Sequence, residues 1–269
     1  MNILFIGAGS MAEALLRGWV QQDVVLPQNI YVTNRSNKER LSELQAKYGV
    51  NIFSDNAQFA QMDLIVLAMK PKDAETSLQA IQQHVAPHTI VVSVLAGIPV
   101  ATIERFIGKR SIARVMPNTS ASLGMSASGI AFNDAMTDEQ KSYCLTLVAA
   151  VGKVVEVTEE QLHAVTALSG SGPAYIYYMM EAFFHAGEQL GLDKETVRTL
   201  MTQTVAGSAA MLETLGEEPA VLRKQVTSPG GTTEAGIGVL EAHHVKAAIE
   251  ACVYRAAARS EELAKTTKA

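Results

Sequence analysis

Ile3-Leu4-Phe5-Ile6-Gly7-Ala8-Gly9-Ser10-Met11-Ala12 is the stretch that decides the fold. Four apolar residues without polar alternation read as a short strand buried on both faces. Glycines follow at once, and the apolar spacing from Met11 to Val20 predicts a helix. A glycine turn between a strand and a helix is the setting the dinucleotide fingerprint requires. Gly7 permits the tight turn, Gly9 lets a pyrophosphate approach the backbone, and Ala12 is small enough for the helix to lie on the strand. The N–H groups around Ser10 and Met11, with the helix dipole, favour the anion. A purely structural turn is the competing reading.

Working outward, Ile30 to Thr33 reads as the second strand and ends in Asn34-Arg35-Ser36. A carboxylate there would hold the two ribose hydroxyls of NAD, and none is present. Arg35 supplies a planar cation for a 2′-phosphate, and Asn34 and Ser36 can donate hydrogen bonds, which points to NADP. A solvated surface cation is the alternative for Arg35. Strands are predicted at Ile65–Ala68, Ile90–Leu95, Ile112–Met116, Gly129–Phe132 and Lys153–Val157. Two loops at strand ends, Ala68-Met69-Lys70-Pro71 and Ala96-Gly97, occupy the edge where open α/β sheets bind ligands. Lys70 could equally be a plain surface lysine. Ser36-Asn37-Lys38-Glu39 reads as a capping box opening a helix to about Tyr48, and Thr137-Asp138-Glu139-Gln140 as another to about Val151. Strands alternating with helices imply a mostly parallel sheet.

After residue 157 no convincing strand remains. Helices are expected at Gly172–Leu190, Asp193–Leu215, Glu218–Val226 and Val245 to about Lys265. The chain therefore divides into an α/β dinucleotide-binding domain, residues 1–157, and an all-helical domain, residues 158–269. So many apolar helix faces in so short a segment make the second domain a candidate dimer interface.

The 269 residues suit about two domains, and 48% hydrophobic with 18% charged residues excludes a disordered chain. Lys and Arg number 22 against 27 Asp and Glu, scattered, so no polyanion footprint exists and nucleic acid is not an expected partner. Cys144 and Cys252 form no ligand or redox motif, which fits reduced thiols in the cytoplasm. The charge-free run Gln161–Met180 is broken by Ser169-Gly170-Ser171-Gly172-Pro173 and makes a poor membrane span, and no secretory signal is visible. His243-His244 lacks a third ligand, so no metal is expected. Tyr175, Tyr177 and Tyr178 read as packing residues, and Trp19 as packed on the sheet.

Two further segments place small residues where helices begin: Ser169-Gly170-Ser171-Gly172-Pro173-Ala174-Tyr175, and Ser228-Pro229-Gly230-Gly231-Thr232-Thr233. In the second, successive N–H groups and three hydroxyls suit a small anion, most simply a carboxylate. An ordinary capped turn is the bland alternative. The run Leu222–Leu240 around this segment closely resembles the signature of the pyrroline-5-carboxylate reductases. Ala68-Met69-Lys70-Pro71, Val115-Met116-Pro117-Asn118-Thr119 and Leu168–Tyr175 match the same family in order along nearly the whole chain.

The resemblance implies a Rossmann-type domain followed by an all-α dimerisation domain like the C-terminal part of 6-phosphogluconate dehydrogenase. It implies reduction of L-1-pyrroline-5-carboxylate to L-proline by NADPH, with NADH as a second donor. Ser228, Gly230, Gly231, Thr232 and Thr233 match the substrate loop, with Thr233 near the ring nitrogen as the catalytic residue. Asn56 matches an asparagine near the cofactor ribose, and Asn118 joins the cofactor side. Thr232 departs from the alanine that relatives often carry. A homodimer through the helical domain, extended to a decamer of stacked dimers, is also implied. Two other functions compete. A β-hydroxyacid dehydrogenase would need a lysine on the helix from Gly172, and none occurs before Lys194. A non-catalytic NADPH-sensing dimer would need no second anion loop.

Overall fold

The computed structural model describes residues 1–266. The sheet has eight strands: β1 (Ile3–Ile6), β2 (Ile30–Thr33), β3 (Asn51–Ile52), β4 (Leu64–Leu67), β5 (Ile90–Ser93), β6 (Ile112–Met116), β7 (Ser126–Phe132) and β8 (Gly152–Glu156). Their order is β3-β2-β1-β4-β5-β6-β7-β8. Neighbours are parallel except β6 and β7, which pair antiparallel with Val115 opposite Ile130. The link between those two is short and carries only the 3₁₀ turn Thr119–Leu123, so the chain reverses instead of crossing over. The helices between strands are α1 (Ser10–Gln21), α2 (Lys38–Tyr48), α3 (Ala74–Ile81), α4 (Val100–Ile107) and α5 (Asp138–Ala149).

Period-two alternation of the buried strands divides the core. Ile3 and Phe5 of β1, with Leu64 and Val66 of β4, join Leu15, Trp19, Leu41 and Leu147 on the α1, α2 and α5 side. Leu4, Ile6, Ile65 and Leu67 face Leu78, Ile81, Ile103 and Ile107 on the α3 and α4 side. Trp19 packs on Phe5 with ring centroids 5.1 Å apart and donates to the Leu147 carbonyl at 2.6 Å.

Several elements differ from the sequence reading. β3 has two residues, too few for any periodic signal. The cap of α2 is Asn37, whose side chain accepts from the Arg40 N–H at 2.9 Å; Ser36 is not the cap. The Thr137–Gln140 capping box is present as read. The chain forms two compact units, Met1–Ser171 joined by the chain from Arg255, and Gly172–Tyr254. By compactness, then, the first unit runs on to Ser171. Residues 158–171, with α6 (Leu162–Val165) and the π turn Thr166–Gly170, pack on the sheet: a Cβ on Gly129 would lie 2.8 Å from Val165. The second unit contains α7 (Gly172–Gln189), α8 (Lys194–Leu215), α9 (Pro219–Gln225), α10 (Thr232–Ala242) and the first part of α11 (Val245–Thr266).

Candidate active site

The strand order reverses direction at β1, with β2 on one side and β4 on the other. The crevice above such a switch point is where open sheets bind ligands. Gly7 sits there with φ +111°, and its N–H donates to the Thr33 carbonyl at 2.9 Å. A Cβ on Gly7 would lie 2.5 Å from the Ala68 carbonyl and 2.6 Å from Met69 N. The glycine turn is therefore wedged against the loop after β4, a position only glycine can fill. Gly9 behaves oppositely: it is the N-cap of α1 in ordinary extended backbone, and a Cβ there would meet nothing within 4 Å. Among the described residues no acceptor pairs with the N–H groups of Ser10, Met11 and Ala12; the first bond of the helix runs from Glu13 N to Gly9 O at 3.0 Å. An open face of unpaired N–H groups at a helix N-terminus fits the pyrophosphate of a dinucleotide.

A network that sequence reading missed holds this turn. Arg40 of α2 donates through Nε to the Ala8 carbonyl at 3.1 Å and pairs with Glu13 of α1. Glu13 also accepts from Lys47 at 2.9 Å and from the Tyr48 hydroxyl at 2.8 Å. Burial alone would raise the Glu13 carboxyl, but hydrogen bonds from Arg40, Lys47 and Tyr48 outweigh it and bring it down to about 2. Its charge, one turn from the unpaired N–H groups, is thereby neutralised by two cations. Glu13 and Arg40 stand 27 positions apart, and no periodicity links them.

The loop after β2 is stiffened by Asn34, whose Oδ1 accepts from Ser36 N at 3.2 Å and Asn37 N at 2.9 Å while Nδ2 donates to the Asn37 carbonyl at 2.7 Å. Asn34 is thus largely spent on shaping the loop, whereas Arg35 projects outward with its side chain 83% exposed. Among the described residues its ion-pair partner is Asp73, at 3.8 Å. Asn56 begins the turn Asn56–Gln61, exposed, with its amide 3.4 Å from His84 Nε2. Lys70 is exposed where the turn Pro71–Asp73 begins. Gly97 has φ +74° and lies against α11, where a Cβ would approach Leu263 at 3.7 Å. Ala96 beside it is exposed.

Asn118, expected on the cofactor side, also has a structural part. It is buried, its Nδ2 donates to the Ser169 carbonyl at 3.0 Å, and its Oδ1 accepts from Ser120 N at 3.1 Å. It clamps the π turn and caps the Thr119–Leu123 turn.

In the second unit, Ser228–Thr233 joins α9 to α10. Gly230 has φ +70°, and Gly231 donates to the Ser228 carbonyl at 3.0 Å. The Gly230 N–H, expected to face a substrate, is held at 2.7 Å by the carboxylate of Glu234, a residue the sequence reading left aside. Among the described residues no acceptor pairs with the N–H groups of Thr232 and Thr233, and the Ser228 and Thr233 side chains are exposed. No group of His, Cys, Asp and Glu among the described residues could hold a metal ion. Burial pushes the Cys144 thiol up to about 12, far from reactivity.

The family model described as pyrroline-5-carboxylate reductase dimerisation matches residues 159–263, and that described as NADP oxidoreductase, coenzyme F420-dependent, matches residues 2–97. Pyrroline-5-carboxylate reductase 2 of Bacillus subtilis is 44% identical over 264 residues, covering 97% of this chain and 95% of that protein. The chain belongs to the pyrroline-5-carboxylate reductase family. The solved reductase of Coxiella burnetii superposes with TM-score 0.90 at 39% identity, covering 97% of this chain and 98% of that one. The Plasmodium falciparum pyrroline carboxylate reductase, solved with NADP bound, superposes with TM-score 0.88 at 27% identity over 98% of each chain. The Rossmann-type half and the helical dimerisation half are thus those of an NAD(P)H-dependent reductase family. Neither the β-hydroxyacid dehydrogenase nor the sensor reading gains support from these likenesses.

Proposed function

We propose that this chain reduces L-1-pyrroline-5-carboxylate to L-proline with NADPH as preferred donor, working in the cytoplasm as a homodimer joined through the Gly172–Tyr254 unit. When bound, the reduced nicotinamide supplies the hydride. The Gly7–Ala12 turn holds the pyrophosphate, and Arg35 meets the 2′-phosphate.

The observation that carries the substrate is the Ser228–Thr233 loop. Free N–H groups of Thr232 and Thr233, at the start of a helix and beside the Ser228 and Thr233 hydroxyls, suit a carboxylate. The imine carbon of a cyclic C=N becomes receptive to hydride once its nitrogen is protonated, so the loop needs no His, Asp or Lys. The Thr233 hydroxyl holds the ring nitrogen, and positioning supplies much of the rate.

Burial supports the homodimer. In the Gly172–Tyr254 unit Val197 is the one buried residue among those described. Tyr177, Tyr178, Phe183, Leu190, Leu200, Met211 and Tyr254 are exposed. Five helical segments without a core of their own need a second copy to cover them. Light scattering reads the assembly: twice the chain mass is the homodimer, and ten times would extend it to the decamer that the resemblance implies.

Thr233→Ala tests the site. NADPH oxidation is followed with pyrroline-5-carboxylate beside a panel of 2- and 3-oxo acids. The imine should be consumed and the oxo acids spared. The variant should lose at least tenfold in kcat, about the worth of one hydrogen bond to a charged group, while NADPH affinity holds. Unchanged kinetics would remove Thr233 from the site.

A further inference from the structure

Arg35 follows β2, and Asp73 ends the Pro71–Asp73 turn after β4. These strands flank β1, so the two loops stand on opposite sides of the Gly7 turn. Nη1 of Arg35 lies 3.8 Å from Oδ1 of Asp73, and neither side chain has another partner among the described residues. Asp73 also occupies the position just before α3, where an aspartate ordinarily accepts an N–H of its own helix, yet it makes no such bond. Its carboxylate lies instead across the crevice, within ion-pair distance of Arg35.

We propose that Asp73 is a specificity-determining residue that occupies Arg35 when no 2′-phosphate is bound and repels that phosphate when it arrives. It holds the preference for NADPH over NADH below the level Arg35 alone would set. This rests on the reading that Arg35 meets the phosphate. Two anions served by one guanidinium stand roughly 7 Å apart. At that separation a unit charge opposing a phosphate of about −1.5 to −2 lowers binding about fivefold in water of low ionic strength. Screening at physiological salt reduces this to about twofold. NADH lacks the phosphate and feels neither effect.

The test uses Asp73→Asn, which keeps the side chain's shape and caps a helix as well as aspartate does. The full-length variant is titrated with NADPH and with NADH by cofactor fluorescence, at 0.01 M and at 0.15 M ionic strength. The NADPH Kd should fall about fivefold at the lower and about twofold at the higher ionic strength, with the NADH Kd constant. An unchanged or weaker NADPH affinity, or a parallel shift for both cofactors, would overturn the proposal. Arg35→Gln separates the two readings. If it weakens NADPH alone while Asp73→Asn is silent, only the role of Asp73 fails; if it leaves NADPH unaffected, the phosphate reading fails and takes this one with it.

Discussion

Gly9→Ala separates the cofactor function of the glycine turn from its structural one. Gly9 has φ −77° and ψ −176°, which alanine adopts freely, and the added Cβ would meet no atom within 4 Å. Two small stability terms oppose each other. Alanine reduces the freedom of the unfolded chain, worth about 0.4–1 kcal/mol, and is the poorer N-cap by a similar amount. The melting temperature should therefore stay within about 2 °C. Binding is another matter, because the methyl group stands on the open face beside the unpaired N–H groups of Ser10–Ala12. Losing two charge-assisted hydrogen bonds at about 1.5–3 kcal/mol each weakens NADPH by roughly 100- to 10,000-fold. Gly7→Ala is the control: with φ +111° and a Cβ 2.5 Å from the Ala68 backbone, strain and overpacking together cost about 2–6 kcal/mol. That variant should melt about 5–20 °C lower. Calorimetry and an NADPH titration on both proteins, at one concentration, decide the matter. A Gly9→Ala protein that binds NADPH within threefold of the parent would refute the argument.

Other perturbations have equally definite signs. The Glu13 carboxyl lies at about 2 in the folded chain against 4.5 for a free one, so the stability it contributes is full above pH 4.5 and disappears as pH falls toward 2. Glu13→Gln should thus unfold at lower urea than the parent at pH 7, and the gap should close across that acid window. Glu159 accepts from buried Arg114 at 2.7 Å and from Val100 N, where α4 begins, also at 2.7 Å. Its removal by Glu159→Ala leaves a buried guanidinium unpaired; because the carboxylate is itself one-third exposed, a loss of about 2–3 kcal/mol is expected by urea unfolding, below the 3–5 typical of fully buried pairs. Glu159→Gln, which keeps an acceptor, should recover part of it.

What could be read beforehand was what local chemistry dictates. β1, the glycine turn and α1 are contiguous, and each signals itself through apolar run, small residue and helical spacing. Thr137–Gln140 is likewise a contiguous box. Features that depend on distant partners were opaque: β3 has only two residues and exists because β2 offers its edge, and the antiparallel turn into β7 depends on a short link instead of strand composition. The same distinction runs through the site. Gly7 could be recognised from its neighbours, but Arg40 on the Ala8 carbonyl and Asp73 beside Arg35 are meetings of separate elements. Asn118 likewise has a structural part that its motif does not announce, hydrogen bonds to Ser169 and Ser120.

The chain carries a formal charge of −5, yet both proposed ligands are anions. Long-range attraction cannot be what binds them, so local charges and dipoles must. Both sites use the same device, a glycine with positive φ just ahead of a helix whose first N–H groups lack partners: Gly7 before α1, and Gly230 before α10. At the first, the nearby acid Glu13 is neutralised by Arg40 and Lys47. At the second, the acid is not neutralised but bound: Glu234 sits on the Gly230 N–H at 2.7 Å. A carboxylate thus already meets the loop's hydrogen-bond geometry, which supports reading the adjacent N–H groups of Thr232 and Thr233 as the seat for the substrate's carboxylate. In the proposed reading backbone N–H groups share this recognition with the Ser228 and Thr233 hydroxyls, and the Glu234 carboxylate on the Gly230 N–H sets the charge beside them.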